Sequence, residues 1–306
     1  MTDALRWVVT ANEAALRLDA FLALHLAPLS RREIVELIAS GQVCLNGRPG
    51  KKGVRVAEGD TVTAPVVSPL TPNATIPVRV VYTDDALVIL DKPVGVPSVA
   101  LRYVETHTVA NFLLAYFPET ATAGPRPLES GLLQRLDTDT SGLLLAARSP
   151  YAYAALREQF RVCTVEKYYL AMVEGQVQSK GTVIFPLAPS GPRGRHMRVV
   201  PAGQGQEAET AYAPVTSFPG HTLLRLKITT GVRHQIRVHL AAVGHPIVGD
   251  TRYGSSAKAP RLYLHAETLI CTSPATGQRL TCTSPMPREC FDLLEGGTCG
   301  KIRSLL

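Results

Sequence analysis

The chain has 306 residues, enough for about two domains at roughly 150 residues each, and 45% hydrophobic against 19% charged residues excludes a disordered chain. Lys+Arg 32 against Asp+Glu 25 leaves +7 with histidine neutral, a balance that suits an anionic partner without requiring one. No apolar run approaches the ~18 residues of a membrane span, and the opening MTDALRWVVTANEAALRLDAF has no apolar leader, so a cytoplasmic protein away from membranes is expected. The six cysteines (44, 163, 271, 282, 290 and 299) form no C-x-x-C pair and meet no histidine at zinc-finger spacing, which reads as free thiols and no metal.

Residues 1–66 hold eight Lys/Arg and seven Asp/Glu, yet six of those cations fall between Arg31 and Arg55. Leu18, Phe21, Leu22 and Leu26 recur at helical spacing. Ser30 stands as the N-cap of a second helix with Ile34, Leu37 and Ile38 on one face, and Gly41 closes it. A short strand at 43–45, the turn Asn46-Gly47, a basic loop and Gly59-Asp60 before Thr61 complete a unit of two helices on a small sheet. Arg31, Arg32, Lys51 and Lys52 can share one basic face of it. Pro65, Pro69, Pro72 and Pro77 cannot sustain helix or a central strand, so 67–77 reads as a linker between 1–66 and a second domain at 78–290, with a tail at 291–306.

In the second domain the patterning predicts strands at 78–82, 87–90, 143–146, 168–173, 210–215, 223–229 and 262–269, and helices at 107–116, 150–161 and 233–243. Strands outnumber helices and connections are irregular. The fold class is α+β with a mixed or antiparallel sheet, not a doubly wound array.

Three segments concentrate polar residues in apolar surroundings. In GLLQRLDTDTSGLLLAARS (131–149), Asp137, Asp139 and Ser141 read either as a self-bonding turn or as a carboxylate presented at a strand end, with Arg135 on the side of Asp137 if the backbone is extended. Ser141 makes a poor hydrolase nucleophile, because TDTSG lacks the G-x-S-x-G elbow and nothing selects a histidine partner. In TTGVRHQIRVHLAAVGHPIVGD (229–250), Arg233 and Arg237 are four apart and share a helix face, either solvated or bordering a cleft. His234 and His239, five apart and about 140° around a helix, cannot chelate one metal. In EKYYLAMVEG, Tyr168 and Tyr169 point to opposite sheet faces, one to the core and one outward or into a site. The loop GPRGRHMRVV, with Arg193, Arg195, His196 and Arg198, suits phosphate contact or simple solvation.

Together these segments resemble the RluA-type pseudouridine synthases. The resemblance runs over 78–290 in order: VYTDDALVILDKPVGVPS, RLDTDTSGLLLAA, KYYLAMVEG, AETAY, HQIRVHLAAVGHPIVGD and RLYLHAETL. The segment RLDAFLALHLAPLSRREIVELIASGQVCLNG is similar to the small RNA-binding domain of the ribosomal-protein S-four type. The resemblance implies Asp137 as catalytic aspartate, Tyr169 as active-site tyrosine and Arg237 as its arginine, with no cofactor or metal. Those roles suit the chemistry, which must break the glycosidic bond at the base nitrogen, rotate the base and rejoin it through carbon. A guanidinium on Asp137 would hold and aim its charge, a tyrosine ring can stack on the base while its hydroxyl assists at C5, and Arg135 and Arg233 would contact the flipped nucleotide or its phosphates.

Two positions depart from the family's usual pattern: Gln134 where histidine precedes Arg-Leu-Asp, and Val232 where arginine usually stands. The expected function is an RNA pseudouridine synthase acting on large-subunit (23S) rRNA, as a monomer, with RNA and not DNA as partner. Transfer RNA is the alternative substrate. A non-catalytic RNA-binding or ribosome-assembly protein and a glycosidase using Asp137 with a second carboxylate are the readings from other classes.

Overall fold

The computed structural model describes residues 4–26, 29, 31–65, 70–257 and 259–291. Ser30, residues 67–69 of the expected linker and the expected tail beyond Phe291 lie outside the described residues. The chain divides into two compact units, one formed by Met1–Thr71 with Leu101–Thr106 and Arg126–Leu128, the other by Pro72–Ala100, His107–Pro125 and Glu129–Leu306.

The first unit runs β1 (Ala4–Val8), α1 (Leu18–His25), α2 (Arg31–Ala39), β2 (Cys44–Leu45), β3 (Arg48–Pro49) and β4 (Thr61–Pro65), with sheet order β1-β4-β2-β3. The helical spacing read in the sequence does what it should: Leu18, Phe21 and Leu22 meet Ile34 and Ile38 over Val43, Val56 and Val62 in one core. Asn46 (φ 52°) and Gly47 (φ 73°) both adopt left-handed backbone, the requirement of the tight hairpin turn between β2 and β3. Strand β1 escaped the sequence reading because four of its five residues are exposed, so no buried alternation marks it; antiparallel pairing to β4 makes it a strand.

The second unit continues with β5 (Arg79–Thr83), β6 (Leu87–Lys92), α3 (Val109–Tyr116), β7 (Ser141–Ala147), α4 (Pro150–Arg161), β8 (Glu166–Glu174), β9 (Gly181–Ile184), β10 (Leu187–Ser190) and β11 (His196–Val199). It ends with β12 (Glu209–Phe218), β13 (His221–Ile228), α5 (Gln235–Ala242), β14 (Leu264–Thr272) and β15 (Arg279–Thr283). The main sheet has the order β5-β6-β7-β14-β8-β13-β12-β9, with β15 also on β14, and β7 with β14 is its one parallel pair among the described residues. Every expected strand and helix of this unit exists, α4 with the expected ends and the others with shifted ones, whereas β9, β10, β11 and β15 went unread. The segment read as the loop GPRGRHMRVV is the turn and second strand of a β10–β11 hairpin.

Strand β7 is buried along its whole length and deals its side chains to two cores. Leu143 and Leu145 pack with Ala152 and Leu156 of α4, while Leu144 and Ala146 join Tyr169, Ile236 and Leu240. Gly142 (φ 110°) lets the start of β7 lie against β14: a Cβ there would come within 2.3 Å of the Ala266 carbonyl oxygen. This close pairing fixes where the segment before β7, which carries Asp137, leaves the sheet.

Candidate active site

Asp137 lies in the turn entering β7, and two neighbouring side chains hold the backbone of that turn. The Ser98 hydroxyl donates to the Leu136 carbonyl (2.8 Å) and accepts from the Leu136 N–H (2.9 Å). Lys92, fully buried at the end of β6, donates from Nζ to the carbonyls of Pro93 (2.9 Å), Val96 (2.7 Å) and Thr138 (3.1 Å). Three carbonyls match the three N–H donors of an ammonium. Burial, then the Arg261 charge, push Lys92 down to about 7. Neither Lys92 nor Ser98 was singled out in the sequence, although both lie in the quoted segment DKPVGVPS; a lysine between strand and proline carries no periodic signal for its direction.

Arg237 supplies the centre of the site. Its Nη1 donates to Asp137 Oδ2 (2.7 Å), while Nε and Nη2 donate to the two carboxylate oxygens of Asp250 (2.7 and 2.8 Å). The guanidinium also lies 5.2 Å from the Tyr253 ring centroid. Burial works against its charge, but Asp250 and then Asp137 more than offset that, and its pKa is raised. Among the described residues no hydrogen bond reaches Asp137 Oδ1, so one oxygen of the half-buried carboxylate is held and the other is available.

Helix α5 explains which arginine arrives here. It starts at Gln235, not at 233, because His234 takes a left-handed conformation (φ 55°, ψ 17°) at its N-cap. Arg233 therefore precedes the helix and the shared face expected for Arg233 and Arg237 does not form. The Arg233 guanidinium instead donates to the carbonyls of Gly194 and of His196 (3.2 Å) on the β10–β11 hairpin. Helix α5 is solvated neither on the side of Arg237 nor on the opposite one: Arg237 is buried, and so are Gln235 and His239 across the helix, Gln235 bonded to the Glu209 carbonyl (2.8 Å) and His239 to that of Phe185 (3.0 Å).

Tyr169 is the inward member of its pair, 6% exposed on β8, and Tyr168 is the outward one, with Arg225 (4.8 Å) and Lys227 (5.3 Å) over its ring. Burial, then the charge of Asp137, push the Tyr169 hydroxyl above its ordinary value. Arg135 is exposed. Ser141 has a histidine neighbour after all, His265 Nδ1 at 2.8 Å, but the pair is buried and His265 Nε2 is occupied by the Ser284 carbonyl (3.0 Å), leaving no route for a substrate. Gln134 donates weakly to the Leu143 carbonyl (3.4 Å), and its buried Oε1 has no partner among the described residues. Val232 packs against the cluster of Leu187, Met197, Ala208 and Val238. Among the described residues no cluster of three or more His, Cys, Asp or Glu side chains is placed to hold a metal ion.

In the first unit, Arg17, Arg31, Arg32 and Lys52 line a groove of about 670 Å³. Its floor is the buried Asp19 carboxylate, which accepts from Arg17 (2.9 Å) and Arg31 (3.1 Å). Arg32 pairs with Glu36 (3.1 Å) and is 82% exposed; Lys51 is exposed outside the lining.

Residues 86–242 match the family model described as RNA pseudouridylate synthase, and residues 16–62 match the S4 domain. The chain is 35% identical over 300 residues to the ribosomal large subunit pseudouridine synthase D of Xanthomonas campestris pv. campestris, covering 92% of this chain and 89% of that protein. It is 32% identical to the protein of the same name from Salmonella typhimurium, over 94% and 92% of the two chains. Among solved structures, the human RNA pseudouridylate synthase domain containing 1 superposes with a TM-score of 0.56 at 25% identity, over 72% of this chain and 88% of that one.

Proposed function

Because the chain belongs to the RNA pseudouridylate synthase family, we propose that it isomerises specific uridines of large-subunit ribosomal RNA, with Asp137 as its catalytic carboxylate. The names of its relatives support that substrate, and an S4 domain supports RNA as the partner. One observation carries the catalytic reading: Arg237, anchored by Asp250, holds Oδ2 of Asp137 at 2.7 Å and leaves Oδ1 unengaged among the described residues. A carboxylate held by one oxygen is pre-oriented to present the other to the ribose, where the glycosidic bond must break.

Tyr169 contributes its ring beside the base. With its hydroxyl pKa raised by burial, it stays protonated at neutral pH and serves as a hydrogen-bond donor, not as a phenolate base. Arg135, exposed two residues before Asp137, contacts the extruded nucleotide or its phosphate. Arg233 supports this site through the hairpin carbonyls. Arg31, Arg32, Lys51 and Lys52 meet RNA phosphates from the first unit. The protein acts on RNA and not DNA, as a monomer, in the cytoplasm; residues 1–66 serve RNA binding and 78–290 the chemistry, joined by 67–77.

The test is tritium release from ribosomal RNA labelled at uridine C5, since that proton leaves when the new carbon–carbon bond forms. Wild type should release it, with EDTA present or absent, because no step of the isomerisation calls for a redox or Lewis-acid group. Asp137→Asn should lower the rate at least about a thousandfold with little change in thermal unfolding. An active Asp137→Asn protein overturns the assignment, and release from transfer RNA alone overturns the substrate.

A further inference from the structure

Asp137 has a second neighbour besides Arg237. His234 Nε2 lies 3.9 Å from Asp137 Oδ2, the same oxygen that Arg237 holds, and its Nδ1 lies 2.6 Å from the Tyr253 hydroxyl. The hydroxyl in turn accepts from the Met197 backbone N–H (3.0 Å) on β11.

The proton positions follow from what each group can do. A backbone N–H can only donate, so the Met197 contact uses an acceptor site of the Tyr253 oxygen and leaves its proton free. If that proton goes to His234 Nδ1, the other ring nitrogen carries the N–H and directs it at a carboxylate. The opposite tautomer would aim a lone pair at Asp137 and leave the Tyr253 proton with no acceptor among the described residues. Burial drives His234 down to about 4; Asp137 opposes this and the charges of Arg237, Arg233 and Arg252 reinforce it, so the ring is neutral near pH 7.

We infer that His234 is a positioning residue for the isomerisation: its Nε2–H, oriented by the Tyr253 hydroxyl, steadies Oδ2 of Asp137 alongside Arg237 so that Oδ1 is the oxygen turned to the sugar. Through Met197 and Tyr253 the same chain ties the β10–β11 hairpin, with its cationic Arg195 and Arg198, to the catalytic carboxylate. Seating of RNA on the hairpin and alignment of Asp137 are therefore coupled through two consecutive hydrogen bonds and the 3.9 Å approach of His234 to the carboxylate. Tyr253 acts twice, since its ring face also backs the Arg237 guanidinium. The inference rests on Asp137 being the catalytic group.

A purely structural His234 makes the opposite prediction from a positioning one, because the residue is left-handed. Asn tolerates that backbone better than Gln, but its amide ends near the place of Nδ1, whereas the longer Gln amide reaches the place of Nε2. Single-turnover pseudouridine formation on a large-subunit rRNA transcript should fall at least about tenfold more in His234→Asn than in His234→Gln, with RNA binding equal in both. Tyr253→Phe, which keeps the ring on Arg237, should slow the same step about tenfold with KM unchanged.

Nitrogen NMR of the imidazole should show the Nε2–H tautomer in wild type and a mixture in Tyr253→Phe, a readout independent of turnover. Asn matching or exceeding Gln, Tyr253→Phe at the wild-type rate, or an Nδ1–H tautomer in wild type overturns the inference. Loss of activity in Asp137→Asn with any of those results leaves the catalytic reading standing and removes only this one. An inert wild type, or an active Asp137→Asn, removes the catalytic reading itself.

Discussion

The protein builds two arginine–carboxylate clusters with opposite insides. In the first unit the anion is buried: Asp19 has a 1% exposed side chain beneath Arg17 and Arg31, which are 42% and 72% exposed. In the second unit the cation is buried: the Arg237 side chain is 5% exposed between Asp250 at 0% and Asp137 at 23%. The same ion pair thus turns cationic forks outward in one place and a carboxylate oxygen outward in the other. Under the proposed function, a buried Asp19 spaces and orients guanidinium groups for an anionic chain, while a buried Arg237 aims a reactive carboxylate. On that reading, which charge is placed inside separates a binding cluster from a chemical one.

That difference is sharpest in stability. Asp250→Ala leaves Arg237 desolvated with Asp137 as its only carboxylate among the described residues, and removing one partner of a buried pair costs about 3–5 kcal/mol, readable in denaturant unfolding. Asp19→Ala leaves two arginines that water can reach, so the expected loss is about 1 kcal/mol or less. Equal losses at the two sites would end the contrast.

Acid should separate them next. Asp19 is held below its ordinary value of 3.8, first by the hydrogen bond from Arg17 and then by that from Arg31, against the opposing effect of burial. A carboxylate with a lowered folded pKa contributes fully above the unfolded value and loses that contribution as pH falls through the folded one. Unfolding of wild type and Asp19→Asn should therefore converge as pH drops below about 4. A gap that persists undiminished at lower pH would assign the stabilisation to packing.

For binding, replacing Lys51 and Lys52 together by Ala should weaken RNA binding evenly across sequences and reduce the log–log salt slope by about 0.7–0.9 for each phosphate no longer neutralised. An unchanged slope would place the RNA away from this part of the unit. The smallest effects belong to the departures from the family pattern. Gln134→His and Val232→Arg should each change the isomerisation rate by less than about tenfold, or 1.4 kcal/mol, because neither side chain makes or breaks a bond. Activity that appears only when both substitutions are combined would point to a binding protein descended from a synthase.

Much of the molecule was legible from residue order alone. Helical spacing in 18–38 defined two helices and the core they share, α4 showed the same spacing at Ala152 and Leu156, and α3 and the long strands were marked by apolar runs bounded by turn residues. The strands that went unread have reasons. β1 is largely exposed, and β9 and β15 alternate over only four and five residues with one buried residue each, too short a pattern to mark a strand; their partners mark it through backbone hydrogen bonds.

The site divides the same way. Asp137, Tyr169 and Arg237 stood out through their motifs, and the inward tyrosine could be narrowed to one of two neighbours. Nothing local said that His234 would break the helix before it began, which removed Arg233 from the face of Arg237 and brought an imidazole to Asp137 instead. Nor did spacing reveal Asp250, thirteen residues beyond Arg237, or Tyr253 and Lys92. Sequence periodicity reports which side of an element is apolar, because burial acts on each residue separately. Which buried cation meets which carboxylate, and which oxygen is left free, depends on distances between segments far apart in the chain, and those exist only once the sheet has brought the segments together.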